Sequence, residues 1–336
     1  MSNKKTFEKQ RLSTEEYASG IISGNRVILS QAITLIESKL QTDNDLAESL
    51  IELLLPHTGK SLRIGITGVP GSGKSTFIES FGKLLTSLGK KVAVLSIDPT
   101  SQLSKGSILG DKTRMEELAN DPKAYIRPSP SGNTLGGVHS RTRETILLCE
   151  ACGFDVVIVE TVGVGQSEVA VRGIVDFFLL ITLSGAGDEL QGIKRGIMEM
   201  ADAIIVNKSD GDNIKKAQQT RQDYVNALHM FPPASSGWIP QVHTCSALYK
   251  EGLEEIWQMI EEYESQTRKS GYFLKNRQNQ NLQWMKDILD YQLKYDFFHS
   301  APVKQNIGEL EKQVMKESIP AHKAARILLK KFRENH

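Results

Sequence analysis

At 336 residues the chain is longer than one average domain and fits one large α/β domain with added helices. A composition 39% hydrophobic and 24% charged excludes the disordered and fibrous classes. With 41 Lys and Arg against 40 Asp and Glu, the formal charge of +1 gives no basis for a nucleic-acid coat or for binding to anionic membranes.

Residues 1–11 are basic, carry Glu8 and hold no apolar core, so no secretory signal is expected. No apolar run reaches membrane-spanning length. Three cysteines are too few for a disulfide framework, which makes the reducing cytoplasm the expected address. Residues 13–58 read as helices. Ser13-Thr14-Glu15-Glu16 is a capping segment, followed by Ile28, Ala32, Leu35, Ile36 and Leu40 at helical spacing. Asp43 is expected to cap a second helix carrying Leu46, Leu50, Leu53 and Leu54, which ends near Pro56 and Gly59.

From residue 62 short β-rich runs appear at 62–67, 92–98, 155–161, 177–183, 203–207 and 241–245. Helix-compatible or Gly-rich stretches separate them, which predicts βαβ units and a mostly parallel sheet flanked by helices. Most of the runs are continuously apolar, as strands buried on both faces require. Cys149 and Cys152 form one C-x-x-C pair with no second pair at zinc-site spacing, so they are read as helix packing before the cap Gly153. After 246 helical texture returns, with a stripe of Leu253, Ile256, Trp257 and Ile260, a polar stretch at 267–281, and apolar spacing through 284–293. Beyond Pro302 come Leu310, Val314, Ala324, Ile327 and Leu328. The expected division is an N-terminal helical segment at 1–59, a nucleotide domain at 60–266 and a C-terminal helical extension at 267–336.

Gly68-Val69-Pro70-Gly71-Ser72-Gly73-Lys74-Ser75 matches the phosphate-loop pattern G-x-x-x-x-G-K-[ST] in full, between a strand and a helical run that opens at Thr76. Glycines let backbone N–H groups turn toward phosphates, and the helix N-terminus adds its positive dipole end. Lys74 is placed to reach the β and γ phosphates, and the Ser75 hydroxyl is a hard ligand for Mg²⁺. These residues, from Gly68 through Thr76, are the expected phosphate contacts.

Asn207-Lys208-Ser209-Asp210 follows an apolar strand. An ionised Asp only accepts hydrogen bonds, and guanine offers two adjacent N–H donors where adenine offers an acceptor. Asn207, Lys208 and Asp210, with Ser246-Ala247 after the next strand, are the expected base contacts, and GTP or GDP the expected nucleotide. Taken alone, such a short run is as readily an ordinary strand-end turn. Asp98 and Glu160 end the second and third runs, where ligands of open α/β sheets sit. Acids there can hold Mg²⁺ or orient water, although capping acids occupy the same places. Gly163, Gly165, Gly185 and Gly187 mark loops able to change shape.

Five stretches together resemble the methylmalonyl-CoA mutase-associated GTPases of the MeaB/ArgK family. They are the phosphate loop; Asp98-Pro99-Thr100-Ser101 with 106–115; Arg127-Pro128-Ser129-Pro130-Ser131-Gly132; 160–168; and 185–196. The resemblance runs through 60–250 and more weakly into both flanks. It implies a homodimeric GTPase of the signal-recognition-particle-like group, serving as a chaperone-like switch on an adenosylcobalamin-dependent acyl-CoA mutase, with methylmalonyl-CoA and isobutyryl-CoA mutases both fitting. It further implies Asp98, Asp111 and Glu160 as Mg²⁺ and water-organising acids, Asp188, Gln191 and Lys194 in the switch toward the mutase, and the C-terminal helices as the dimer contact. No nucleic acid and no membrane are implied. Ser184 and Thr100 depart from the family pattern without touching the nucleotide chemistry.

Two other readings compete: an ATP-using kinase or transport-associated ATPase, and a scaffold that binds nucleotide without hydrolysing it. The base motif argues against the first, and the complete set of Lys74, Ser75, Asp98 and Glu160 against the second. His139 is read as a loop histidine, Arg141 and Arg143 as a solvated pair at a helix start, and Trp257 and Trp284 as core or dimer anchors.

Overall fold

A computed structural model describes residues 11–38, 40–98, 115–130, 137–161, 167–184 and 195–334. The chain divides into two compact units, Met1–Gln280 and Asn281–His336.

The first unit is built on seven parallel strands: β1 (Leu62–Gly68), β2 (Val92–Asp98), β3 (Ala124–Pro130), β4 (Val156–Thr161), β5 (Phe177–Leu183), β6 (Ala203–Asn207) and β7 (Gln241–Thr244). Their order across the sheet is β3-β2-β4-β1-β5-β6-β7. Six of them stand where apolar runs predict strands. The seventh, β3, contains Pro128 and Pro130, which argue against a strand read from sequence. It is nonetheless an edge strand, paired only with β2. At an edge the missing proline N–H need not break a ladder.

Successive residues of each buried strand face opposite layers. Ile64, Ile66, Val94, Ile158 and Leu179 point to one side. There they meet Phe77 and Phe81 of α4 (Lys74–Ser87) and the Leu253, Ile256, Trp257, Ile260 stripe. Trp257 sits edge-on to Phe81, a core contact as its spacing suggests. Val157, Val159, Leu95 and Phe178 point to the other side. That face is covered by α1 (Thr14–Ile22), α2 (Arg26–Ile36), α3 (Gln41–Leu54) and α6 (Gly137–Ala151), with Cys149 and Cys152 buried among them. Burial pushes both thiols up. A short α5 (Glu116–Ala119) precedes β3.

Two local expectations change. The first helix carries the Ser13/Glu16 capping box but breaks at Gly24, whose φ of 80° is left-handed, and Asn25 then caps α2. Asp43 is not a cap, because Leu40 holds that position; the Asp43 carboxylate instead takes two hydrogen bonds from Arg11, which hold it below the usual carboxylate range.

Helices α7 (Ser167–Arg172), α8 (Arg195–Met200), α9 (Ile214–Leu228) and α10 (Leu253–Lys269) complete the first unit, together with the start of α11 (Tyr272–His299). In the second unit α12 (Ala301–Met315) and α13 (Ala321–Arg333) pack together, and Phe332 meets Phe297 edge-to-face. Leu282, Met285, Leu289, Leu293 and Phe298 of α11 remain exposed. Among the described residues no helix is long and apolar enough to cross a membrane.

Candidate functional site

β1 lies at the centre of the sheet, and its C-terminal end runs into the phosphate loop. Gly68 must be glycine because a Cβ there would lie 2.1 Å from the Ile181 carbonyl oxygen of β5. Gly73 has φ 84°, and its Cβ would lie 2.7 Å from Asn207 Nδ2. It opens α4 with no side-chain cap, which leaves the first-turn amides of Lys74, Ser75 and Thr76 to an incoming anion. Lys74 Nζ folds over the loop and donates to Gly68 O (2.8 Å) and Val69 O (3.2 Å). Burial lowers its pKa, against the opposing pull of Glu160 and Glu168. Ser72 is fully buried, and its Oγ finds no hydrogen-bond partner among the described residues. An orphan hydroxyl, an uncapped helix start and a half-buried ammonium fit a bound polyphosphate.

The residues expected to meet a base come from elements more than a hundred positions away, and Asn207 joins them to the phosphate loop. Its Nδ2 donates to Ser72 O (2.8 Å), and its Oδ1 accepts from Ala247 N (3.1 Å) and from Cys245 Sγ (3.4 Å). Lys208 adopts φ 59°, which turns the chain so that Ser209 N donates to Cys245 O at 2.9 Å. Ser246 Oγ donates to Asp210 Oδ2 at 2.6 Å. One carboxylate oxygen is therefore held, and the half-buried group is aimed while keeping its acceptor character. Ser80 Oγ of α4 binds Ala247 O at 2.7 Å, a second bond between the two halves. Of this set, the sequence reading names Asn207, Lys208, Asp210, Ser246 and Ala247 as candidates, and does not name Ser80, Ser209 or Cys245. A serine inside the apolar face of α4 was the available signal for the first.

Glu160 closes β4 almost fully buried, level with Ser96 of β2, whose Oγ is 3.4 Å from Glu160 Oε2. Beside it Thr161 Oγ1 donates to Thr67 Oγ1 at 2.8 Å. Asp98 ends β2 on the same edge, with its side chain outside the described residues. Asp111, Asp188, Gln191 and Lys194 also lie outside them, as does the His139 side chain. Among the described residues no three acids, histidines or cysteines gather into a ready metal cage. A P-loop Mg²⁺ does not need one, because a hydroxyl, phosphate oxygens and waters make up most of its shell. Ser75 and Glu160 carry oxygens of the hard kind such an ion takes.

The pair Arg141 and Arg143 is not solvated. Arg141 donates to the Glu37 and Ser38 carbonyls at the end of α2, and Arg143 to Gln280 O (2.7 Å) and Gly173 O (2.8 Å). Helix ends leave carbonyls such as those of Glu37, Ser38 and Gly173 without partners, and a guanidinium fork satisfies two acceptors at once; Gln280 O lies inside α11. A concavity of about 860 Å³ along α10, from Gln258 to Ser270, holds none of the site residues. A smaller one of about 310 Å³ shares Ser209 and Ser246 with the base turns.

The family model described as methylmalonyl Co-A mutase-associated GTPase MeaB matches residues 29–301. The chain is 50% identical to GTPase ArgK of Escherichia coli over 78% of its own length and 80% of that protein's. It is 43% identical to the mitochondrial methylmalonic aciduria type A homolog of Mus musculus over 98% and 82%. A crystal structure of an LAO/AO transport system kinase superposes with a TM-score of 0.77 at 38% identity, covering 94% of this chain and 96% of the other. By this family match and these identities the chain belongs to the MeaB family of methylmalonyl-CoA mutase-associated P-loop GTPases.

Proposed function

We propose that the chain is a Mg²⁺-dependent GTP switch whose nucleotide state acts on an adenosylcobalamin-dependent acyl-CoA mutase of the methylmalonyl-CoA type, gating cofactor loading and protecting the enzyme from inactivation. The observation that carries the nucleotide half is the Asp210 carboxylate, held by Ser246 and fastened through Asn207 to the phosphate loop. An acceptor-only group fixed at that place suits the paired donors of guanine and leaves a buried mismatch with adenine. The name of the solved relative suggests a kinase; the geometry at Asp210 favours GTP over ATP for this chain.

In this reading Lys74 and the first-turn amides of α4 take the β and γ phosphates. Ser75, Asp98, Asp111 and Glu160 hold Mg²⁺ directly or through water. The ion, when bound, neutralises charge developing on the transferred phosphoryl group. Asp188, Gln191 and Lys194 carry the nucleotide state toward the mutase. The exposed apolar side chains of α11 support a homodimer through the C-terminal helices. The mutase half rests on family membership. Its test is GTP turnover with and without methylmalonyl-CoA mutase and isobutyryl-CoA mutase. One of them should form a complex visible by size-exclusion and raise turnover about tenfold or more by ordering the catalytic loops. Unchanged turnover and no complex with either would overturn the mutase assignment and leave the GTPase standing.

A further inference from the structure

Helix α7 begins directly after residues 160–166, the stretch that opens with Glu160, and at its C-terminal end it enters the turn 173–176 before β5. Side chains from three helices grip that turn. Arg143 of α6 donates to Gly173 O. Gln280 of α11 donates from Nε2 to Val175 O at 2.8 Å. Arg277 of α11 makes a two-pronged pair with Asp176, Nε to Oδ1 at 2.7 Å and a terminal nitrogen to Oδ2 at 2.6 Å. The same guanidinium donates to Gly59 O and Ser61 O, just before β1. Tyr263 of α10 closes the set by donating to Asp176 O at 2.9 Å. Arg172, the last residue of α7, forms a second two-pronged pair with Asp202 at the start of β6.

We propose that the turn 173–176 is a coupling joint through which a change behind Glu160 reaches helix α11, with Arg277 and Gln280 as the positioning residues that transmit it. The helix gripped here runs on to His299. The coupling rests on the reading that Glu160 and the loop after it answer the γ-phosphate.

Two features set the joint apart from an ordinary buried anchor. Its near end, Gly173, directly follows the six-residue helix α7, which itself follows the stretch that opens with Glu160. It also keeps one acceptor in reserve: Gln280 Oε1 is buried without a hydrogen-bond partner among the described residues, although its own Nε2 and the neighbouring Arg143 are engaged. An unmet buried acceptor is unfavourable, so the second state of the joint is one in which Gln280 Oε1 finds a donor. A contact that served stability alone would gain from closing that bond.

The test is hydrogen exchange on the full chain with Mg²⁺, comparing GDP with a non-hydrolysable GTP analogue. In the wild type the analogue should alter exchange in both 167–176 and 272–282. In Gln280→Leu the change at 167–176 should remain and that at 272–282 should fall about fivefold or more, with analogue affinity unchanged. Arg277→Lys keeps a charge on Asp176 while losing the fork, and should behave likewise if Gln280→Leu folds poorly. A purely structural role would lower the melting temperature of both variants and leave the nucleotide-dependent difference intact, which would overturn the joint. Wild-type change at 167–176 without change at 272–282 would overturn it too. Absence of any change at 167–176 would instead remove the γ-phosphate reading on which the joint depends, and the joint with it.

Discussion

The two ends of the central sheet are built from the same strands and treat polar groups in opposite ways. At the amino ends, charged side chains are closed on one another. Arg277 pairs with Asp176, Arg63 with Glu150, Arg172 with Asp202 and Lys83 with Asp121, each within 2.8 Å. Burial works against the charge of Arg277, and the bonded Asp176 more than reverses it, so its pKa rises. At the carboxyl ends two features stay open, the Ser72 hydroxyl and the uncapped start of α4, and Lys74 rests on backbone carbonyls rather than on an acid. One end is closed by ion pairs of the chain itself, with Gln280 Oε1 the exception among its described side chains. The other is finished by a ligand, and that difference locates the site before any motif is consulted.

Breaking each end tests the contrast. The largest effect belongs to Arg277→Met, which leaves Asp176 buried without its partner and is expected to cost about 3–5 kcal/mol of stability. Chemical denaturation reads it; a loss under about 1 kcal/mol would mean the closed end is not closed by charge. Lys74→Ala should do the reverse: stability nearly unchanged, and GTP turnover lower by about 10²–10³-fold, because the lost charge serves phosphates rather than the fold. Steady-state kinetics beside a thermal melt separates the two outcomes.

Ser246→Ala sharpens the comparison within the open end. It frees Asp210 without removing it and should weaken GTP binding about tenfold, the worth of one charge-assisted hydrogen bond, read by fluorescent-nucleotide titration. The smallest effect concerns Asp121, whose pKa is drawn down to about 2, first by its bond with Lys83. A carboxyl depressed in the folded state contributes stability that is present above its unfolded value near 3.8 and lost as pH falls toward 2. Stability followed from pH 5 to pH 2 should decline less steeply in Asp121→Asn than in the wild type.

The open end was legible in the sequence, and the closed end was not. Glycines at 68 and 73, Lys74 and the base turn form short contiguous strings whose chemistry follows from residue type. The apolar strands announce themselves by length and composition. Arg277 and Gln280, by contrast, stand in a polar stretch with no local motif, and their partners lie about a hundred positions away. Arg143 was misread for the same reason, since nothing local distinguishes a guanidinium in water from one that holds two carbonyls. Strand β3 was hidden by its prolines, which only an edge position tolerates. The break at Gly24 needed a backbone angle rather than a periodicity. Patterns reveal what neighbours in sequence do together; ion pairs that close a fold join residues that are not neighbours.

The most direct test of the account compares GTP and ATP binding and hydrolysis, with Mg²⁺, in the wild type and in Asp210→Asn. The account predicts strong preference for GTP in the wild type, and a loss of that preference by about 10²-fold or more in the variant, because an amide cannot accept from both guanine donors. Equal use of ATP by the wild type, or an Asp210→Asn protein that still selects GTP, would contradict it.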